Sequence, residues 1–136
     1  MARQRAEPAR QVVHGAAGRL LAETLDKPRT FGGRGVGLMF RRSLPAGHGM
    51  LIDPCNGIHM LFMRFPIDAV FLDRLDRVKR VYRRVAPWYG VVWIVWGAQK
   101  VVELPAGSLD GLDLPAGGCE TLGERLCGGG GHRCRP

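Results

Sequence analysis

The hydrophobic and polar residues of this chain alternate in short runs that are separated by turn signals. Such runs predict strands rather than helices, and they cover residues 19–25, 50–52, 58–65, 67–72, 78–85, 88–96 and 101–104. The turn 73–76 joins two of these runs into the clearest predicted hairpin. Asn56-Gly57 predicts a second hairpin, in which residues 58–65 return beside residues 50–52. The apolar run 88–96, with its three tryptophans, is predicted to be a buried strand.

Two further segments have a helical pattern. Residues 36–43 place apolar side chains beside Arg41 and Arg42, as a short amphipathic helix would. Residues 108–112 are predicted to form a helical turn capped by Ser108. The predicted fold is therefore α+β and β-rich: a small antiparallel sheet, curled or barrel-like, of six or seven short strands with one or two short helices.

Composition divides the chain into three parts. Its 136 residues, 46% of them hydrophobic, suit one modest core and exclude a multi-domain or fully disordered protein. Residues 1–18 are predicted to be a flexible basic segment, residues 19–118 the folded domain, and the Gly/Cys-rich residues 119–136 a disordered tail. No apolar run reaches the roughly 18 residues of a membrane span, and no secretory signal is recognised, so we expect a cytoplasmic protein.

The net charge of +8 is concentrated near the N-terminus, where residues 1–45 hold nine Lys or Arg and three Asp or Glu. A second basic cluster consists of Arg77, Lys79, Arg80, Arg83 and Arg84. On an alternating strand this cluster puts Arg on both faces, which favours a solvated edge strand over a phosphate-binding stripe. Since no nucleic-acid-binding motif accompanies it, we do not expect nucleic acid as a partner.

Several short blocks, in order and at consistent spacing, resemble the domain of unknown function (DUF) 192 family. They are Gly37-Leu38-Met39-Phe40-Arg41, residues 49–52 (GMLI), residues 58–60 (IHM) with 62–64 (FMR) and 66–68 (PID), residues 70–73 (VFLD) and residues 102–107 (VELPAG). Together they extend over roughly residues 19–118. The resemblance implies a compact β-rich single domain, and it implies no established activity, cofactor or catalytic residue.

Four polar residues, Cys55, His59, Asp68 and Glu103, are embedded in apolar sequence, where burial would shift a pKa. Cys55 and His59 are the residue types of a nucleophile and its base, which makes an enzyme of hydrolase or transferase type one alternative. A tight turn at Asn56-Gly57 would nevertheless place these two side chains on opposite faces of the hairpin.

We favour a non-catalytic ligand-binding or interaction module. Its polar pocket would be lined by Arg41, His59, Asp68 and Glu103, with Arg64 as an anion contact, and it would take a small polar or anionic ligand. A satisfied polar network in the core is the plainer interpretation of the same residues. Should Trp88 and Tyr89 be exposed instead of buried, they would offer a stacking platform for a flat ligand. A basic-surface binder of anionic polymers is the third hypothesis.

No metal or cofactor is predicted. The tail residues Cys119, Cys127, His132 and Cys134 lack the CxxC spacing of structural zinc sites. The four cysteines are expected to be reduced thiols. The oligomeric state is left open by the sequence.

Overall fold

The computed structural model describes residues 10–14, 20–27, 38–39, 41–114 and 122–126. Within these ranges ten strands form one five-stranded, one three-stranded and one two-stranded sheet, which confirms the β-rich prediction. The strands are β1 (Arg10–His14), β2 (Leu20–Ala22), β3 (Thr24–Asp26), β4 (His48–Ile52), β5 (Ile58–His59), β6 (Ile67–Leu72), β7 (Val78–Val85), β8 (Val91–Val92), β9 (Lys100–Pro105) and β10 (Leu122–Leu126).

The five-stranded sheet has the order β3-β4-β9-β6-β7. All its neighbouring strands are antiparallel except β3 and β4, which are parallel. The outer strands β3 and β7 do not pair with each other, so the sheet is open and the predicted barrel-like closure is not confirmed. The basic strand β7 occupies one edge, as the charges on both its faces predict.

Each face of this sheet carries its own hydrophobic cluster, because successive side chains of a strand point to opposite faces. On β6, Val70 and Leu72 belong to the first cluster, whereas Ala69 and Phe71 belong to the second. The same alternation divides Val102 from Val101 on β9 and Leu51 from Met50 on β4. The sheet is thus a layer buried on both sides.

Different segments cover the two faces. The first cluster is completed by Leu21, Leu25, Leu109 and Leu114, from the chain before β4 and after β9. The second cluster is completed by residues of segments 38–44, 55–65 and 92–98. We call residues 56–65 and 86–98 the ribbon, since they contain the two-stranded sheet of β5 and β8.

The β6–β7 hairpin forms as predicted, with a bulge where Ile67 pairs with Val85 and Ala69 pairs with Tyr82. The predicted hairpin at Asn56-Gly57 is wrong, because Ile58 pairs with Val92 and strand β4 is flanked by β3 and β9. The Cys55 amide donates to the Gln99 carbonyl (2.8 Å). These bonds direct the chain from the sheet into the ribbon instead of back along β4.

The predicted helices are not confirmed. Leu38 and Met39 form a turn, and residues 36, 37 and 40 lie outside the described residues. Residues 106–111 form successive turns, and the Ser108 hydroxyl donates to the Pro105 carbonyl (2.6 Å) instead of capping a helix. Gly107 and Gly111 have φ angles of +90° and +72°, which interrupt any right-handed helical turn between them.

Strands also occur where the sequence predicts a flexible start and a disordered tail. Every residue of β1 pairs with a residue of β10, and β1 pairs with β2 on its other side. The flexibility predicted for residues 1–18 and the disorder predicted for residues 119–136 stay predictions, because most of these residues lie outside the described ones. Among the described residues, no helix is long and apolar enough to cross a membrane.

Candidate functional site

Asp68 is fully buried on β6, and its carboxyl group is used within the fold. Oδ1 accepts a hydrogen bond from the Arg84 amide (2.9 Å), and Oδ2 accepts from the amides of Gly107 (3.1 Å) and Leu109 (3.0 Å). Arg84 lies in the β7 bulge with a φ angle of +50°. Asp68 therefore satisfies amides that the bulge and the 105–109 turn leave without a strand partner.

Glu103 lies on the opposite face of the sheet. It pairs with Met50 on one side and Ala69 on the other, so its side chain enters the second hydrophobic cluster beneath the ribbon. Only 7% of the residue is exposed, and no described residue donates a hydrogen bond to its carboxyl group. Burial raises the pKa of Glu103 to about 7.

Cys55 and His59 have different surroundings: Cys55 precedes the ribbon and is half-buried, whereas His59 is exposed on the ribbon. Cys55 packs against the second cluster, and its thiol donates to the Gly57 carbonyl (3.0 Å). His59 is exposed and pairs with the exposed Val91 on the outer side. Burial raises the pKa of the Cys55 thiol, and the Glu103 carboxylate raises it further. The structure does not bring the two residues together as a thiolate and base.

The remaining two predicted ligand contacts are exposed. Arg41 lies with its guanidinium 3.9 Å from the Asp26 carboxylate, and Arg64 follows a turn of the ribbon. Since Asp68 and Glu103 face opposite sides of the sheet, the structure does not place the five predicted residues around one pocket. Their roles in ligand binding stay predictions.

The ribbon carries an exposed apolar surface, of which the sequence analysis considered only Trp88 and Tyr89, as an alternative to their burial. Residues 88–96 do not form one buried strand: Tyr89, Trp93 and Trp96 are 88%, 82% and 86% exposed. Only Val92 and Val95 of this segment are buried. We call the whole set the aromatic surface, and its members are Leu61, Phe62, Trp88, Tyr89, Val91, Trp93, Ile94 and Trp96.

Backbone contacts hold this surface together. The Met60 amide donates to the Gly90 carbonyl (2.8 Å), and the Trp88 amide donates to the Met60 carbonyl (2.9 Å). The rings of Phe62 and Trp88 meet edge to face with centroids 5.6 Å apart. The turns at residues 61–62 and 88–89 therefore lie side by side, at one end of the β5–β8 pair.

Gly90 allows the ribbon to sit against the sheet. A Cβ atom at this position would lie 2.5 Å from Val85 Cγ1 and 2.6 Å from the Ala86 carbonyl oxygen. No side chain fits in that space without movement of the backbone. At the other end of the ribbon, the Val95 amide donates to the Asn56 carbonyl (2.7 Å), which fixes the turn that displays Trp93 and Trp96.

Positive charges border the aromatic surface. No Asp or Glu occurs in residues 54–67 or 77–102; the nearest preceding acid, Asp53, lies just outside the ribbon. Arg64 is exposed on the same ribbon. The Lys79 side chain reaches the turn after Trp96, with its Cε 3.5 Å from the position of a Cβ on Gly97.

No group of three or more His, Cys, Asp or Glu residues capable of holding a metal ion occurs in the described part of the chain. Cys119, Cys127, His132 and Cys134 of the tail lie outside the described residues. The geometry on the described residues is that of a β-rich single domain with an exposed aromatic surface.

The chain belongs to the DUF192 family, described as "Uncharacterized ACR", whose model matches residues 7–119. This confirms the resemblance seen in the sequence. No curated protein matches the chain.

Two solved structures have a similar fold. One is the crystal structure of a "putative transcription regulator" from Sinorhizobium meliloti 1021, with a TM-score of 0.65 and 23% identity over 88% of this chain and 97% of that one. The other is a protein of unknown function from Novosphingobium aromaticivorans DSM 12444, with a TM-score of 0.64 and 20% identity over 93% of this chain and 96% of that one. At these identities the likeness concerns the fold alone.

Proposed function

We propose that this protein is a non-catalytic binding module and that the aromatic surface is its binding face. The observation that carries the proposal is the concentration of eight exposed large hydrophobic residues on the ribbon, with only Leu20 and Leu75 exposed elsewhere among the described residues. Single exposed apolar residues are ordinary, whereas a contiguous patch marks an interaction site. Trp and Tyr are enriched in such sites because they supply a large apolar area with a polar atom.

The fold does not need these side chains for its own core. Val92 and Val95 point inward from the ribbon and join the second cluster, while Val91, Trp93 and Trp96 point outward. A ribbon that served only to cover the sheet would function with polar residues at the outward positions. The outward aromatic residues are therefore available for a partner.

The proposal changes the role of the residues predicted from the sequence. His59 lies on the outer side of the ribbon and Arg64 near one end of it, so both are proposed contacts at the border of the aromatic surface. Asp68 and Glu103 are buried and Arg41 lies beside Asp26, so none of the three belongs to this face. The raised pKa of the Cys55 thiol, which packs against the second cluster while His59 is exposed, favours a non-catalytic role over a thiol enzyme.

The test replaces Trp93 and Trp96 together by Ser. Because both are exposed, we expect the melting temperature to change by no more than about 3 °C. Retention of the protein on a phenyl-substituted matrix should fall clearly, since the variant loses two of its three tryptophans from the exposed face.

A matched control is Val95→Ser, which changes a buried residue in the same turn. We expect this variant to lose roughly 1 to 3 kcal/mol of unfolding free energy and to keep both outer tryptophans. The proposal is wrong if the double tryptophan variant loses as much stability as Val95→Ser, because the aromatic side chains would then belong to the core. Unchanged retention on the matrix would also contradict it.

A further inference from the structure

We infer that the partner of the aromatic surface is a lipid bilayer surface with anionic headgroups, an inference that rests on the proposed function. The ribbon exposes apolar side chains in the turns 61–62, 88–89 and 96–97, at residues 93–94 and at Val91 of β8. Protruding turns can enter the interfacial layer of a bilayer without any change in the sheet behind them. The protein would lie on the bilayer and would not cross it.

The kind of side chain fits a lipid interface. Trp and Tyr prefer the headgroup level of a membrane, because their rings are apolar and their polar atoms stay hydrated. Trp88, Tyr89, Trp93 and Trp96 supply four such rings. Leu61, Val91 and Ile94 are exposed between them and would lie at the boundary of the acyl chains.

These aliphatic residues favour a lipid partner over a nucleic acid. A single-stranded nucleic acid gains its affinity from bases stacked on flat rings and from phosphates on basic residues. Leu61, Val91 and Ile94 offer no flat face for a base, yet they make up three of the eight members of the surface. A bilayer interface accepts aliphatic and aromatic side chains alike.

The positive charge around the aromatic surface favours an anionic headgroup. The two chain segments 54–67 and 77–102 contain seven Lys or Arg residues and no acid. Some of these cations are paired: Arg77 and Lys79 with Asp73, Arg84 with Asp110 and Lys100 with Asp76. Arg64 and Arg80 have no ion pair with a described residue and are exposed. Cations beside inserted apolar groups favour phosphate-rich anionic lipids over neutral ones.

The experiment uses the full chain and its own fluorescence. All three tryptophans, Trp88, Trp93 and Trp96, belong to the aromatic surface, so the emission spectrum reports on this face alone. The protein is titrated with vesicles of phosphatidylcholine and with vesicles of mixed phosphatidylcholine and phosphatidylglycerol, and binding is measured in parallel by co-sedimentation. We expect a blue shift of the emission and tighter binding to the anionic vesicles, with an affinity that falls as salt is added.

Variants assign the binding to the proposed residues. Trp93→Ser with Trp96→Ser should weaken binding to anionic vesicles by about tenfold or more, since each ring contributes partly buried apolar area. Arg64→Gln should weaken it by about fivefold and should have little effect on neutral vesicles. Leu75→Ser is the matched control, because Leu75 is 67% exposed in the β6–β7 turn and lies outside the ribbon.

Absence of binding to anionic vesicles by the folded wild-type protein overturns the inference. If sedimentation velocity then shows a dimer that Trp93→Ser with Trp96→Ser abolishes, the partner is a second copy and the proposed function stands. Binding of oligo-dT that depends on the same two residues would likewise replace the lipid and leave the proposed function in place. With none of the three partners bound and no loss of retention on the phenyl matrix in the variant, both fail.

Discussion

At the scale of single residues, two buried acids on neighbouring strands show how position decides chemistry. Glu103 pairs with Ala69, which follows Asp68 in β6. Because successive residues of a strand point to opposite faces, the carboxyl groups of Asp68 and Glu103 lie on opposite faces of the sheet. Asp68 meets three backbone amides at a bulge and a turn. Glu103 enters a cluster of apolar side chains and meets no described donor.

The sequence pattern identifies both acids as polar residues in apolar strands, and both are buried as predicted. It does not reveal that the two carboxyl groups point to opposite faces of the sheet, because this depends on which strands become neighbours. The register between β6 and β9 pairs Glu103 with Ala69 and Asp68 with Leu104. The expected common pocket depended on that register.

The raised pKa of Glu103 makes stability depend on pH. Because the folded protein keeps this proton up to about pH 7 and the unfolded chain releases it near pH 4.5, the folded state binds more protons in this interval. The contribution of protonated Glu103 to the free energy of unfolding is fully present below about pH 4.5 and is lost as the pH rises through about 7. The cost of ionising the buried group is on the order of 3 kcal/mol by pH 8.

Glu103→Gln keeps the shape and removes the titration. We expect the variant to match the wild type in unfolding free energy near pH 4.5 and to exceed it by about 3 kcal/mol near pH 8. Urea unfolding of both proteins at the two pH values gives this difference directly. Parallel pH profiles would show that Glu103 does not titrate in the folded protein between these values.

At the scale of elements, the β6–β7 hairpin was predictable and the ribbon was not. The hairpin follows from alternation and a short turn, and Asp73 fixes that turn by accepting from the amides of Leu75 (2.8 Å) and Arg77 (3.0 Å). Its pKa is lowered: burial alone would raise it, but these amides and the Arg77 guanidinium stabilise the carboxylate. All of this information is local in sequence.

The ribbon depends on pairing between segments about thirty residues apart, Ile58 with Val92 and His59 with Val91. An apolar run such as residues 90–97 predicts burial when it is taken alone. The structure instead divides the run between inward Val92 and Val95 and outward Trp93 and Trp96. The available signal for exposed turns was the clustering of aromatic residues near Gly90 and Gly97.

Asp68 joins three elements, and its removal should be costly. Asp68→Ala would leave the amides of Arg84, Gly107 and Leu109 without their acceptor in a buried setting. We expect a loss of about 3 kcal/mol or more in unfolding free energy, measured by urea denaturation. Asp68→Asn retains one acceptor oxygen and should lose clearly less. Equal stability of the alanine variant and the wild type would contradict this role.

At the scale of the whole molecule, the two faces of the five-stranded sheet are covered by different kinds of segment. The first face is closed by aliphatic residues that complete a core, including Leu21 and Leu109. The second face is closed by the ribbon, whose inner side fills a core and whose outer side displays the aromatic surface. The sheet and turns thus form a rigid support for one exposed apolar face.

Exposure of the aromatic surface in the free protein can be measured by quenching of tryptophan fluorescence with acrylamide. Trp88, Trp93 and Trp96 are all the tryptophans of the chain, and all are exposed. At protein concentrations low enough to prevent association, we expect emission typical of hydrated tryptophan and quenching close to that of a free tryptophan derivative. Blue-shifted emission that acrylamide barely quenches, in the folded and monomeric protein, would contradict it.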